Sequence, residues 1–508
     1  VILAKTIKGW TLGEGFEGRN ATHQIKKMTQ KQMLELRDRL HLHEEIPAES
    51  LDEGVPPYFR PEPGSEAYEY MMGRRKALDG PLPQRTTTTR RPLAMPSDAP
   101  FKSTDDGSAG REVSTTMVFT NMLRDLMREE EFGDRVVPIV PDEARTFGMD
   151  SMFREFEIYA PFGQLYEPVD HELLLSYAED SDGQILEEGI TEAGSTASWI
   201  AAATSYAHRG VPMVPFYTFY SMFGFQRVGD LIWSAADSRA RGFLMGATAG
   251  RTTLSGEGLQ HQDGHSLAMA ATVPACQAYD PAFAYELAAI VKDGLQRMYV
   301  DNEDVFYYLA IYNENYAQPP KPDGVDQGIL DGLYRWAPSP EGPPALATVL
   351  FSGPAHSAAR EAQAELAERW NVGVELWSAT SYKRLREEAL AAERWNRYHP
   401  MEEPKVPQVT ALLAESPGPV VAVSDYIRAV PEQIARFVLG GFTALGTDGY
   451  GRSDDRPALR SFFETDAPNV VLTVLTQLAA SGAIDRQVLA DAIAHYDLPT
   501  ELDPPWTR

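Results

Sequence analysis

Glu192 is the carboxylate whose sequence neighbours say most about chemistry. It opens a run of small residues, Ala193, Gly194, Ser195, Ala197 and Ser198, that continues through Ala201, Ala202 and Ala203. Small residues let neighbouring elements approach closely, so this helix start is expected to be buried. A buried carboxylate is costly without a specific partner. It serves either a ligand, as a group that holds a proton, or only the helix, whose dipole favours a negative charge in the first turn. A second candidate is the aromatic stretch Pro215-Phe216-Tyr217-Thr218-Phe219-Tyr220-Ser221-Met222-Phe223-Gly224-Phe225. It reads as core packing or as a stacking wall for a flat heterocycle, with Tyr220 adding a hydroxyl.

His261-Gln262-Asp263-Gly264-His265 places two histidines four apart. A zinc-protease helix needs glutamate directly after the first of them, where Gln262 stands, and Gly264 weakens a helix there. His261 is therefore read as an acid, base or hydrogen-bond donor, or as a structural histidine. Gly256 and Gly258 before it suit a loop that comes close to a ligand. Asp142 and Glu143 directly follow an apolar strand over 136–140, and carboxyl ends of parallel strands are where α/β proteins hold ligands. An ion pair of either carboxylate with Arg145 is the plainer alternative. His23 falls in a polar loop and carries no signal by itself. Cys276 has no basic neighbour in sequence and reads as a structural thiol.

These residues need a scaffold, and the pattern supplies an α/β one. Residues 1–110 show little periodicity. A short strand over 1–4 is already under way at the first residue, as inside a larger protein. A helix follows over 26–42, then a Pro- and Arg-rich linker. Beyond it, helix patterns at 114–128, 192–206 and 282–298 alternate with strand patterns at 136–140, 214–220 and 305–311. Pro-rich sequence over 319–344 reads as a second linker. A smaller α/β domain follows, with strands at 347–351, 372–377 and 420–423, helices at 358–370 and 486–495, and an apolar element at 470–475. The alternation predicts mainly parallel sheets covered by helices.

At 508 residues the chain exceeds one ordinary domain and suggests about three. No run reaches the roughly 18 apolar residues that span a bilayer, and the opening residues do not read as a signal peptide. The single cysteine among 508 residues excludes an internal disulfide framework and fits a reducing cytosol, so a cytoplasmic location is expected. A formal net charge of −27 argues against nucleic-acid or anionic-membrane partners.

Several segments together resemble the homodimeric pyruvate dehydrogenase component of bacteria. They are VILAKTIKGW, NATHQIKKM, VVPIVPDEARTFGMDSMFR, GQILEEGITEAG, PFYTFYSMFGFQRVGDLIW, ARGFLMGATAGRTTLSGEGLQHQDGHS, YDPAFAYE and LGTDGYGRSD, spread over nearly the whole chain. The resemblance implies a transketolase-like fold and thiamine diphosphate with Mg²⁺ as cofactors. It implies oxidative decarboxylation of pyruvate, with reductive acetylation of a lipoyl group on dihydrolipoyl acetyltransferase. Residues 1–92 would be the tail of a pyrophosphate-binding domain plus linker, 93–325 the pyrimidine-binding domain and 340–508 the carboxy-terminal domain. Glu192 matches the family's catalytic glutamate at the aminopyrimidine ring, and Phe223 the aromatic packed on that ring. Ile190 lies in the same cofactor-facing segment. Tyr220 and His261 match residues on the substrate side, Asp142 and Glu143 acidic active-site positions, and His23 a loop histidine that handles the lipoyl group. The family's Gly-Asp-Gly metal motif does not occur in these 508 residues, so the metal ligands are expected outside the chain. The rival readings are another thiamine-dependent 2-oxoacid dehydrogenase, a transketolase, or a non-catalytic docking or dimerisation subunit.

Overall fold

The computed structural model describes residues 3–52, 56–80, 89, 91–142, 144–169 and 177–508. They divide into a small unit, Val1–Arg85, and a large one, Thr86–Arg508.

In the small unit, helix α1 (Gln30–Arg39) starts later than the pattern over 26–42 predicts. Thr29 and Gln32 cap each other, with Thr29 N donating to Gln32 Oε1 at 2.8 Å, and this reciprocal pair fixes the start. Met33 of α1 packs on Ile46 and Leu51 to form a minor core. Helix α2 (Glu66–Ala77) lies in sequence without a periodic apolar stripe and buries none of its residues, which is why no pattern announces it. The strand expected over 1–4 is not seen. Leu3 and Ala4 belong to no strand and are exposed, with no partner strand among the described residues to receive them, and residues 1–2 lie outside those described.

The first long helix of the large unit is α3 (Thr115–Met127), capped by Ser114. Then come β1 (Val136–Val140), β2 (Leu186–Glu187), α4 (Glu192–Ala203), β3 (Val214–Tyr220), α5 (Phe225–Asp237), β4 (Phe243–Ala247), β5 (Cys276–Tyr279), α6 (Ala284–Leu295) and β6 (Phe306–Ala310). The six strands form one sheet in the order β2-β1-β3-β4-β6-β5, with every neighbouring pair parallel. Every residue of β4 and β6 is buried, as in a sheet covered on both faces. The helix expected over 192–206 breaks at Thr204, whose ψ of 3° leaves the helical range, and resumes as a short helix. Trp199 of α4 donates its indole N–H to Phe243 O at 3.1 Å, tying this helix to the sheet.

The second sheet contains β7 (Tyr334–Ala337), β8 (Ala345–Phe351), β9 (Gly373–Ser378), β10 (Val420–Val423) and β11 (Phe442–Leu445), in the order β7-β9-β8-β10-β11. Only the edge strand β7 runs antiparallel among these pairings. The stretch 319–344 is therefore more than a linker, for it carries β7 and the short helix Asp326–Asp331. Helices α7 (His356–Trp370), α8 (Tyr382–Tyr398) and α9 (Ala467–Ala480) are the long helices of this half. The apolar run at 470–475 is part of α9, where Val470, Val471, Val474, Leu475 and Leu478 share one buried face. Six residues are too few to distinguish that period from a strand.

A buried carboxylate joins the two sheets. Glu286 of α6 accepts from Ala282 N at 2.6 Å, Phe283 N at 3.0 Å, Tyr334 Oη at 2.6 Å and Ser378 Oγ at 2.6 Å. Burial raises its pKa, while these four donors act to lower it.

Candidate active site

The candidate residues of the large unit gather at the carboxyl ends of β1, β2 and β3, the edge where parallel sheets hold ligands. Thr191 caps α4 and accepts from Gly194 N at 3.2 Å, which sets Glu192 as the first helical residue. Glu192 is only 9% exposed. Both of its carboxylate oxygens accept from Arg227 Nη1, each at 3.1 Å. The same guanidinium lies 3.8 Å from the centroid of the Phe223 ring. A buried carboxylate and an aromatic face thus bracket one planar, hydrogen-bond-donating group.

Phe223 belongs to a tight turn, Ser221–Phe223, at the end of β3. A side chain at Gly224 would run into the Phe219 ring, so the chain can bend there only with glycine. Tyr220 stacks on His261 with centroids 4.9 Å apart, and Phe223 meets both rings edge-on at 5.7 and 5.5 Å. Phe147 packs edge-on against Tyr220 at 5.5 Å, joining the loop after β1 to this cluster. The Nδ1 of His261 lies 3.3 Å from Glu257 Oε2.

A buried polar network holds the rings in place. Ser221 Oγ and Ser266 Oγ donate to Asp263 Oδ2, and each also lies within hydrogen-bonding distance of Tyr308 Oη, at 2.8 and 2.7 Å. Asp263 Oδ1 accepts from His265 N and Ser266 N, both at 3.0 Å. The end of β3, the loop after His261 and strand β6 are thereby locked together. From the second sheet's side, Arg452 N donates to Gln262 Oε1 at 2.7 Å and Gly256 N to Asp454 O at 3.1 Å. The LGTDGYGRSD segment thus braces the loop that carries His261.

Asp142 follows β1 and is exposed. Opposite it, β2 ends in Glu187, paired in register with Val140. Burial pushes Glu187 up to about 7, the Tyr177 hydroxyl opposes that, and the Asp142 carboxylate adds to the rise. Glu143 lies outside the described residues. Ile190, two residues before Glu192, is 80% exposed. His23 belongs to the small unit, where it ends a short helical turn, Asn20–His23, and is exposed.

The structure therefore brings Glu192, Phe223, Tyr220 and His261 together. The residue order alone does not single out Arg227, Glu187 or the Ser221–Asp263–Ser266–Tyr308 network. Arg227 had one available signal, its position four residues after Phe223, the spacing of one helical turn. The network had none, because its members lie up to 87 residues apart.

Sequence comparison sets these residues beside known proteins. Residues 93–319 match the pyruvate dehydrogenase E1 component middle domain, and residues 332–466 the transketolase-like C-terminal domain. The pyruvate dehydrogenase E1 component of Mycolicibacterium smegmatis is 52% identical over 98% of this chain, and that of Escherichia coli is 45% identical over 99%. Over nearly its whole length this chain is similar to part of the pyruvate dehydrogenase E1 component. It spans 54% and 56% of those two relatives, about half the length of each. Among solved structures, transketolase from Leishmania mexicana superposes with a TM-score of 0.55 at 15% identity, covering 88% of this chain and 52% of that one. Transketolase from Campylobacter jejuni gives 0.53 at 15% identity, over 91% and 57%. The fold is transketolase-like.

Proposed function

We propose that this chain forms the pyrimidine side of a thiamine-diphosphate site in a pyruvate dehydrogenase that passes its acetyl product to a lipoyl group. The observation that carries this reading is the seat between Glu192 and Phe223. Its present occupant, the Arg227 guanidinium, is flat, stacks on Phe223 and donates to the carboxylate. An aminopyrimidine ring has the same three properties, so the donor set fits it. Glu192 holds a proton at the ring nitrogen far from the amino group, Phe223 supports the ring face, and Ile190 borders the same segment. Thiamine diphosphate held there would supply a nucleophilic carbon and an electron sink for decarboxylation of a 2-oxoacid.

Tyr220 and His261 offer a hydroxyl and an imidazole to pyruvate. Asp142 and Glu143 add negative charge at the carboxyl end of β1. His23 serves the later transfer to the lipoyl domain of dihydrolipoyl acetyltransferase. We assign Mg²⁺ binding to a part of the enzyme that carries a Gly-Asp-Gly motif, which does not occur in these 508 residues. We further propose residues 1–92 as tail and linker, 93–325 as the pyrimidine domain and 340–508 as the carboxy-terminal domain, in a homodimeric cytosolic enzyme. The one cysteine, buried and unpaired, supports a reducing compartment.

The test is a substrate panel on the full-length enzyme with thiamine diphosphate, Mg²⁺ and an artificial oxidant. Pyruvate should turn over well ahead of 2-oxoglutarate and branched 2-oxoacids, and sugar phosphates should show no ketol transfer. A preference for any of the others overturns the assignment.

A further inference from the structure

The large unit holds a cavity of about 390 Å³ between α3, the start of α6 and the segment 103–113. None of its lining residues belongs to the Glu192–Phe223–Tyr220–His261 cluster. We propose that this cavity binds an α-amino acid with a large apolar side chain, and that the bound molecule acts on Tyr220 through α3.

The walls are braced by the protein's own bonds. The two-residue strand Glu112–Val113 pairs with Tyr316–Ala317. Gln318 closes the back, with Nε2 donating to Val113 O at 2.8 Å and Oε1 accepting from Ala284 N at 2.9 Å. Gly107, at φ 68°, lies so close to this segment that a side chain there would collide with Gln318 O. A pre-formed cavity of this kind falls in the range of about 300–1,000 Å³ typical of small-molecule sites.

The lining decides the ligand class. Val113, Val118, Met122 and Ala284 make the apolar part, where the Met122 thioether suits the edge of an aromatic ring. Donors for a carboxylate lie on the exposed side. Arg111 takes part in no ion pair among the described residues, while Asp105 pairs with Lys321 at 3.1 Å and Asp125 with Arg128 at 3.6 Å. Asn121 Oδ1 accepts from Arg124 Nη2 at 3.1 Å, which leaves its amide N–H groups to donate. Acceptors for an ammonium are present as well. Thr104 and Ser108 give their hydroxyl protons to Phe101 O and Arg111 O, so toward the cavity they only accept. Glu112 and Asp125 add negative charge. Both signs of charge above an apolar floor match a zwitterion with an apolar side chain. A plain carboxylic acid or a plain amine would leave one set of partners unused.

Helix α3 stands between this cavity and the ring cluster. Val118, Asn121, Met122 and Asp125 recur at i, i+3, i+4 and i+7, so they share the face that lines the cavity. Thr116 and Thr120 lie on the opposite face. There Thr116 Oγ1 donates to Tyr312 O at 2.9 Å, and Thr120 Oγ1 to Phe147 O at 2.7 Å. Phe147 is the ring packed on Tyr220 at 5.5 Å. Occupancy of the cavity therefore reaches Tyr220 through one helix and one hydrogen bond.

The experiment is calorimetric titration of full-length enzyme with L-phenylalanine, phenylpropanoate, which lacks the ammonium, and phenethylamine, which lacks the carboxylate. L-Phenylalanine should bind saturably with a Kd of about 1 mM or tighter. Each analogue should bind at least about tenfold more weakly, and Arg111→Gln should weaken L-phenylalanine by a similar factor. Asn121→Trp, which puts a large side chain over the mouth, should abolish binding and serves if the Arg111 variant does not fold. Saturating L-phenylalanine should also shift the KM for pyruvate of wild type by about fivefold or more. No saturable binding up to about 10 mM, equal binding of an analogue, or unchanged binding by both variants overturns the site. Binding without a shift in KM overturns the action through α3. That action rests on the pyruvate reading, whereas the calorimetry does not, so a wild type that binds L-phenylalanine and ignores pyruvate overturns the earlier reading alone.

Discussion

Asp425 stands two residues beyond β10, where the carboxyl ends of the two sheets meet, and its carboxyl is buried against the segment after β4. Oδ2 accepts from Thr252 N at 3.2 Å, and a side chain at Gly250 would collide with it. Oδ1 has no hydrogen-bond partner among the described residues. Burial is the largest influence on this group and pushes its pKa from 3.8 up to about 7, although Arg460 and the Thr252 donors act the other way. A folded-state pKa above the unfolded one means that the carboxyl supports folding fully below about pH 3.8, and that this support is lost as pH rises through about 7. At about 1.4 kcal/mol per pH unit, the loss between about pH 5 and about pH 8 comes to about 2–3 kcal/mol. Asn has nearly the same shape and no charge to desolvate. Urea unfolding of wild type and Asp425→Asn at these two pH values should therefore show the variant gaining about 2–3 kcal/mol on wild type in going to the higher pH. Asp280, pushed up to about 6 chiefly by burial, shifts both proteins alike and drops out of the difference. A stability difference independent of pH, or one that moves against the variant as pH rises, refutes the reasoning.

In the full-length enzyme, Glu192→Gln should slow proton–deuterium exchange at the thiazolium carbon by about 10²–10⁴-fold while leaving a folded protein with bound cofactor, and wild-type exchange rates in such a protein would remove Glu192 from the activating role. His23→Ala should slow acetyl transfer to the lipoyl domain and largely spare decarboxylation read with an artificial oxidant; equal losses in both assays count against a lipoyl role. Cys276 is fully buried and its thiol is pushed up to about 12, so a thiol reagent at mildly alkaline pH should modify it only after unfolding. Arg241 is buried, bonds to Met298 O at 3.1 Å, Asn302 O at 2.9 Å and Asp304 Oδ1 at 3.0 Å, and packs on Tyr206. Arg241→Met should cost about 3–5 kcal/mol in urea unfolding, because it leaves those acceptors unpaired, and a loss below about 1 kcal/mol would show that they find other partners.

Much of this molecule is legible in its residue order, for a local reason. Helix α3 is announced by Ser114 and its apolar spacing, strands β1, β3, β6, β8 and β10 by short apolar runs, and the buried start of α4 by small residues around Glu192. Those signals come from residues within a turn or two of each other, and the aromatic block before Phe225 is as local as they are. What the order of residues does not carry is which distant groups share a place. Strand β7 hides in proline-rich sequence because its stability comes from pairing with β9, and α2 has no apolar face to betray it. The stack of Tyr220 on His261 depends on Asp263 accepting from Ser221 and Ser266, a network closed by Tyr308 from another strand. Arg227 on Glu192 joins residues 35 positions apart, and only the packing of α4 beside α5 brings them within 3.1 Å. Local sequence chooses the elements and their buried faces through hydrogen-bonding periodicity. The meeting of charges and rings at the site is decided by tertiary packing, because contact energy depends on distance in space and not along the chain.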